Sequence, residues 1–221
     1  MPSCELMVVG SYPPVPGPAT AATLGAVNRG WDRGCEVRMV GYRTGAAPLS
    51  VPIVGVLAGR RLEQARRHLG CPPQLVICLQ PGVPFSDPEP AAQLATAAAL
   101  ALAMRRFDDV TVVVTGDLGV TKASLWLLAR SVDHWSVADE AGADRLVRNY
   151  GVRRALISID PVEPYPPVSG PGLFEPGAHD DVVVAEVPAG SLARRALARL
   201  KSDVSRAAGR ARSRSRAVLG R

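Results

Sequence analysis

Along the first 160 positions, short continuous apolar runs alternate with longer stretches whose apolar residues recur at helical spacing. Leu6-Met7-Val8-Val9, ending at Gly10, predicts a first strand. A Pro/Gly loop follows, and then a helix from about Ala19 to Arg33 carrying Leu24, Val27 and Trp31 on one side. Gly34 stops that helix, and Cys35 to Val40 predicts the second strand. Val51 to Leu57 predicts a third strand, and a basic helix through Arg60, Arg67 and His68 comes after it. Gln74 to Leu79 is apolar almost throughout, the pattern of a strand buried on both faces. Asp87-Pro88-Glu89 opens an alanine-rich helix, and Ala91 to Met104 reads as a buried sheet-packing helix. Val110 to Val114 is the clearest strand. A helix over Thr121–Arg130, a short strand Trp135–Ala138, a helix over Asp139–Tyr150 and a strand over Arg154–Ile159 complete the series.

Strands separated by helices predict right-handed βαβ crossovers. The expected fold is α/β: a Rossmann-like, mainly parallel sheet with helices on both faces, occupying residues 1–162. A Pro/Gly-rich linker over 163–181 and a short strand over 182–190 are expected next. Residues 191–221 change character. Leu192, Ala196, Leu200 and Val204 make a modest apolar stripe, while Arg194, Arg195, Arg199, Lys201 and Arg206 fall mostly outside it. That pattern predicts a basic amphipathic helix, with anionic membrane surface as its preferred partner and a solvated end with no role as the alternative.

Charge sharpens this division. The chain carries +6 overall, and residues 191–221 hold ten Lys or Arg against Asp203, which leaves −3 on the remainder. Arguments about anionic partners therefore concern the tail alone. The body's negative charge and few aromatic residues argue against nucleic-acid binding. No run is long enough to cross a bilayer, and the N-terminus has no secretory pattern, so a cytoplasmic protein, peripheral at the inner membrane face, is expected. The cysteines, Cys4, Cys35, Cys71 and Cys78, lack metal-ligand spacing, so no metal site is predicted. Cys4 and Cys35 precede two neighbouring strands, where a bridge is geometrically feasible. Free thiols are the default expectation in a reducing compartment.

Ligands of an open parallel sheet bind beyond the carboxyl ends of its strands, near the point where strand order reverses. Four segments are expected there. The first is the loop from Gly10 through Tyr12 and Gly17, whose amides face a phosphate or merely shape the crevice. Gln80 and Gly82 form the second, either bonding a hydroxyl-rich ligand or turning the chain. The third is Thr115-Gly116-Asp117, in which Asp117 is the candidate catalytic or hydroxyl-binding carboxylate, with helix or loop capping as its bland alternative. The fourth is Asp139-Glu140, with Glu140 a ligand candidate or a plain helix-terminus charge. None of the three histidines is placed as a catalytic group.

These pieces together resemble the N-terminal domain of GT-B glycosyltransferases of the family-4 type. The matching elements are Val8-Val9-Gly10, Pro13 to Gly17, Gly34-Cys35-Glu36-Val37, Val112 to Asp117, and Tyr150-Gly151-Val152 followed by Asp160-Pro161-Val162. The likeness spans roughly residues 5–175. The family's paired loop glycines are here Gly17-Pro18, and its corner histidine is Gly116. In that family the first domain mainly binds the acceptor and the second binds the nucleotide sugar. The resemblance therefore implies the acceptor-binding half of a split or partner-dependent glycosyltransferase in cell-surface glycan or glycolipid synthesis. It implies a sugar or glycolipid acceptor, a donor-domain partner subunit, no cofactor on this chain, and a nucleotide sugar only with that partner. A non-catalytic scaffold module of a polysaccharide pathway is the alternative.

Overall fold

The computed structural model describes residues 4–12, 17–42, 49–51 and 53–161. The linker, the short strand and the basic helix expected beyond residue 162 lie outside the described residues, as do Arg194, Arg195, Arg199, Lys201 and Arg206. In chain order the elements are β1 (Glu5–Gly10), α1 (Pro18–Asp32), β2 (Glu36–Gly41), β3 (Leu49–Ser50), α2 (Ala58–His68), β4 (Gln74–Leu79), α3 (Pro90–Met104), β5 (Asp109–Val114), α4 (Lys122–Ala129), β6 (His134–Val137), α5 (Glu140–Tyr150) and β7 (Ile157–Ile159). The seven strands form one sheet in the order β3-β2-β1-β4-β5-β6-β7, and every pairing is parallel. This is a Rossmann-like α/β fold whose strand order reverses between β1 and β4.

Alternation along the strands divides the interior between two faces. Met7, Val9, Ile77, Val112 and Trp135 face a large cluster closed by α2, α3, α4 and α5. Leu6, Val8, Val76, Cys78 and Val113 face a smaller cluster under α1. Two glycines permit the close helix approaches. A Cβ at Gly10 would collide with Thr23 of α1, and one at Gly59 of α2 would collide with the Ala99 backbone of α3. At either position any other residue would push the helix away.

Three expectations are corrected. The apolar run Val51 to Leu57 is not a strand: β3 is Leu49–Ser50, and a 3₁₀ turn occupies Gly55–Leu57. Gly55 takes a positive φ and donates its N–H to the Pro84 carbonyl at 2.8 Å, which carries the chain away from the sheet edge. Val51 and Ile53 are nonetheless buried, so core packing explains the apolar run. The alanine-rich helix α3 is not buried all round, because Leu94 and Leu102 are exposed. Cys4 and Cys35 are joined in a disulfide that links the approaches to β1 and β2, in place of the free thiols expected. Cys71 and Cys78 are free. Burial pushes the Cys78 thiol up to about 11, so it behaves as a small core hydrophobe.

Candidate functional site

The segments expected at the carboxyl edge fall into two groups. At the switch point, Ser11 donates its Oγ hydrogen to Gln80 Oε1 at 2.9 Å and joins the ends of β1 and β4. Tyr12 turns inward, with its hydroxyl 3.1 Å from the Val8 carbonyl. Tyr42, just beyond β2, reaches across to the Cys78 carbonyl at 2.8 Å. Burial holds both phenols protonated well above the ordinary tyrosine range. Tyr12 is therefore a packing residue, not a surface offered to ligand. Gly10 admits Thr23, and Gly17 caps α1 with a positive φ that only glycine adopts easily. Gly82 sits in a tight turn closed by reciprocal bonds between Gln80 and Val83.

The second group lies beyond β5 and β6. Thr115 is buried, and both its amide and its hydroxyl donate to the Leu79 carbonyl, locking the ends of β4 and β5 together. Gly116 then turns the chain with a positive φ and brings Asp117 to the surface. Asp117 Oδ1 accepts from the Gly119 amide at 3.1 Å. The loop is held at its far end by Gln93 of α3, which is buried. Its side chain accepts from the Thr121 amide at 2.9 Å and donates to the Gly119 carbonyl at 3.2 Å. A lone glutamine inside an alanine-rich stretch is the sequence signal for that anchor.

Between this loop and α5 lies a cleft of about 150 Å³. Val114 and Val137 contribute apolar walls, and Asp117, Asp139, Arg145 and Tyr150 supply the polar ones. Asp139 caps α5 by accepting from the Gly142 amide at 2.7 Å. The Tyr150 hydroxyl is held above its ordinary value by burial and by the negative charge of Asp117, with Arg145 acting in the opposite sense. At neutral pH it is thus a hydrogen-bond donor beside a carboxylate. Glu140 is not among the cleft residues. Its carboxylate pairs with Arg154 at 3.0 and 3.1 Å on the exposed side of α5. Arg145 and Tyr150 were not singled out from the sequence, because only the docking of α5 brings them to Asp117.

A second polar feature lies beside α1, on the opposite face of the sheet. There Thr111, Ser136 and Asp160 line a groove of about 370 Å³ with Arg29 and Asp32. Asp160 Oδ2 accepts from the Ser136 and Ser158 hydroxyls at 2.7 and 2.8 Å. Burial pushes the Asp160 carboxyl up, but the two hydroxyls and the Arg29 charge outweigh it and hold the group below the ordinary aspartate value.

Among the described residues, no group of three or more metal-ligating side chains comes together. No described helix is long and apolar enough to cross a membrane. No protein-family model matches the chain, and neither a curated protein nor a solved structure matches it.

Proposed function

We propose that this chain binds a sugar or glycolipid acceptor, as the acceptor half of a partner-dependent glycosyltransferase of cell-surface glycan synthesis. The cleft beyond β5 and β6 carries this reading. It offers two carboxylates, a guanidinium and a phenol hydroxyl at the carboxyl edge of a parallel sheet, around apolar walls. Carboxylates accept from vicinal hydroxyls, and Arg and Tyr donate back. A pyranose has apolar C–H patches that suit Val114 and Val137. The donor sugar would come with a second subunit, whose nucleotide-binding domain would face the same edge. In that arrangement Asp117 either accepts the proton of the attacking hydroxyl or orients that hydroxyl.

One observation favours a non-catalytic binding module as the second reading: Asp117 Oδ1 already serves its own loop through Gly119. Substitution with asparagine separates the two roles, since Asn keeps an oxygen for the Gly119 amide and removes the charge. Asp117→Asn is expected to keep the melting temperature and to weaken binding of hexose disaccharides by at least about tenfold, the scale of a lost charge-assisted hydrogen bond. Saturation-transfer NMR and calorimetric titration measure both. Unchanged binding in this variant and in Tyr150→Phe removes the cleft from the proposal. Full binding without turnover in the presence of a co-purified donor subunit selects the second reading.

A further inference from the structure

The outer surface of α3 carries no charge over 15 residues: its sequence is Pro-Ala-Ala-Gln-Leu-Ala-Thr-Ala-Ala-Ala-Leu-Ala-Leu-Ala-Met. Its one strongly polar side chain, Gln93, is buried. Leu94 is 41% exposed and Leu102 64% exposed, the largest exposure of any bulky apolar residue described. Trp126, on the neighbouring α4, is 54% exposed with the Arg130 guanidinium stacked over its ring. Solvated helices normally present charged residues on their outer face, and an apolar surface of this kind marks an interaction site.

We propose that α3 is a self-association surface, which packs antiparallel against α3 of a second copy about a two-fold axis at Ala98. The outward stripe is Ala91, Leu94, Ala98, Leu102 and Arg105, with spacings of three, four, four and three residues. It is symmetric about Ala98. Antiparallel pairing sets Leu94 against Leu102 of the other copy and Ala98 against its own counterpart, as an isologous interface requires. The ends are complementary as well. Asp87 and Glu89 precede the helix, Arg105 and Arg106 follow it, and all four are exposed. None of them takes part in an ion pair among the described residues. Antiparallel pairing brings the acidic end of each copy to the basic end of the other. A parallel arrangement would place like charges together. Ala91 and Ala98 are small enough to let the two helices approach to about 8 Å.

The test uses the full chain. Sedimentation velocity over a wide range of concentration is expected to show a reversible monomer–dimer equilibrium. Leu102→Glu, exposed and therefore neutral for the monomer's fold, should raise the dissociation constant by at least about 30-fold. Glu89→Arg and Arg105→Glu should each weaken the dimer, and the double variant should recover it. Ala98→Cys in a Cys71→Ser background should form an intermolecular disulfide under mild oxidation. A monomer at every concentration overturns the proposal. So does a dimer that ignores both Leu102→Glu and the charge exchange, or an Ala98→Cys variant that never cross-links.

Discussion

The two faces of the sheet are built on different terms. Four helices close one face, over β-strand positions that are apolar from β2 to β7. Among the described residues α1 alone packs on the other, over β1, β2 and β4. Beyond Val113 of β5, which still packs under α1, this face presents Thr111, His134, Ser136 and Ser158 of β5, β6 and β7, followed by Asp160. A parallel sheet usually buries both faces, so its strands read as unbroken apolar runs. β4 reads that way, as Gln-Leu-Val-Ile-Cys-Leu. β6 reads His-Trp-Ser-Val, and the chain from β7 reads Ile-Ser-Ile-Asp. Period-two alternation within a parallel sheet thus marks strands that have one dry face and one polar face. The contrast locates most of the buried apolar packing on the four-helix side and a polar groove on the other.

The sharpest way to break this comparison is at adjacent residues of β6. Trp135 is 1% exposed on the closed face, and its neighbour Ser136 points into the groove. Trp135→Ala is expected to cost about 3–5 kcal/mol, the transfer and cavity terms of a large aromatic. Ser136→Ala, which loses one hydroxyl bond to Asp160, should cost about 0.5–1.5 kcal/mol. Urea denaturation of both variants gives the ratio. Equal costs would mean that the groove face is as much a part of the core as the other.

The Cys4–Cys35 bridge probes the same asymmetry. It belongs to the α1 side, with Cys35 buried in the smaller cluster and Cys4 packed against it. A cross-link spanning 31 positions restricts the unfolded chain and contributes about 2–4 kcal/mol. Cys4→Ser with Cys35→Ser should therefore lower stability by that amount under oxidising conditions, and should match the wild type kept in reductant. If the variant loses nothing relative to the oxidised protein, the smaller cluster holds α1 without the bridge.

The legibility of the fold follows from the same contrast. β1, β4 and β5 were plain in the sequence because strands apolar on both faces leave a continuous signature. Gly34 and the Asp87-Pro88-Glu89 segment likewise marked the end of α1 and the approach to α3. Val51 to Leu57 misled because burial, not strand pairing, makes a run apolar, and the departure from the sheet rests on Gly55 and its bond to Pro84. At the site, the exposure of Asp117 at the end of β5 followed from its position after an apolar run. Its neighbours did not. Arg145 and Tyr150 arrive from α5 through tertiary packing, and Tyr12 turns inward because its hydroxyl closes on the Val8 carbonyl, a contact that no local pattern specifies. The disulfide was visible as a geometric option, and only the paired strands decide it.

The smallest expected effect is the most specific to the open face. Asp160 accepts from Ser136 and Ser158 and lies near Arg29. These influences outweigh its partial burial and lower its carboxyl below the ordinary aspartate value. A group whose pKa is lower in the folded state binds its proton more readily when unfolded. Its contribution is therefore complete above the ordinary aspartate value, about 4, and is lost as pH falls through the lower folded value. Between neutral pH and about 5 the wild type and Asp160→Asn should differ by a constant margin. Below about 4 the wild type should lose that margin and the two stability curves should converge. Urea midpoints measured at closely spaced pH values show this directly. Convergence belongs to Asp160 only if Ser136→Ala, which removes one of the lowering hydroxyls, shrinks the margin and completes its loss at a higher pH. Parallel curves down to the acid limit would mean that the carboxylate gains nothing from its hydroxyl partners, and that the polar groove contributes no charge-dependent stability to the sheet.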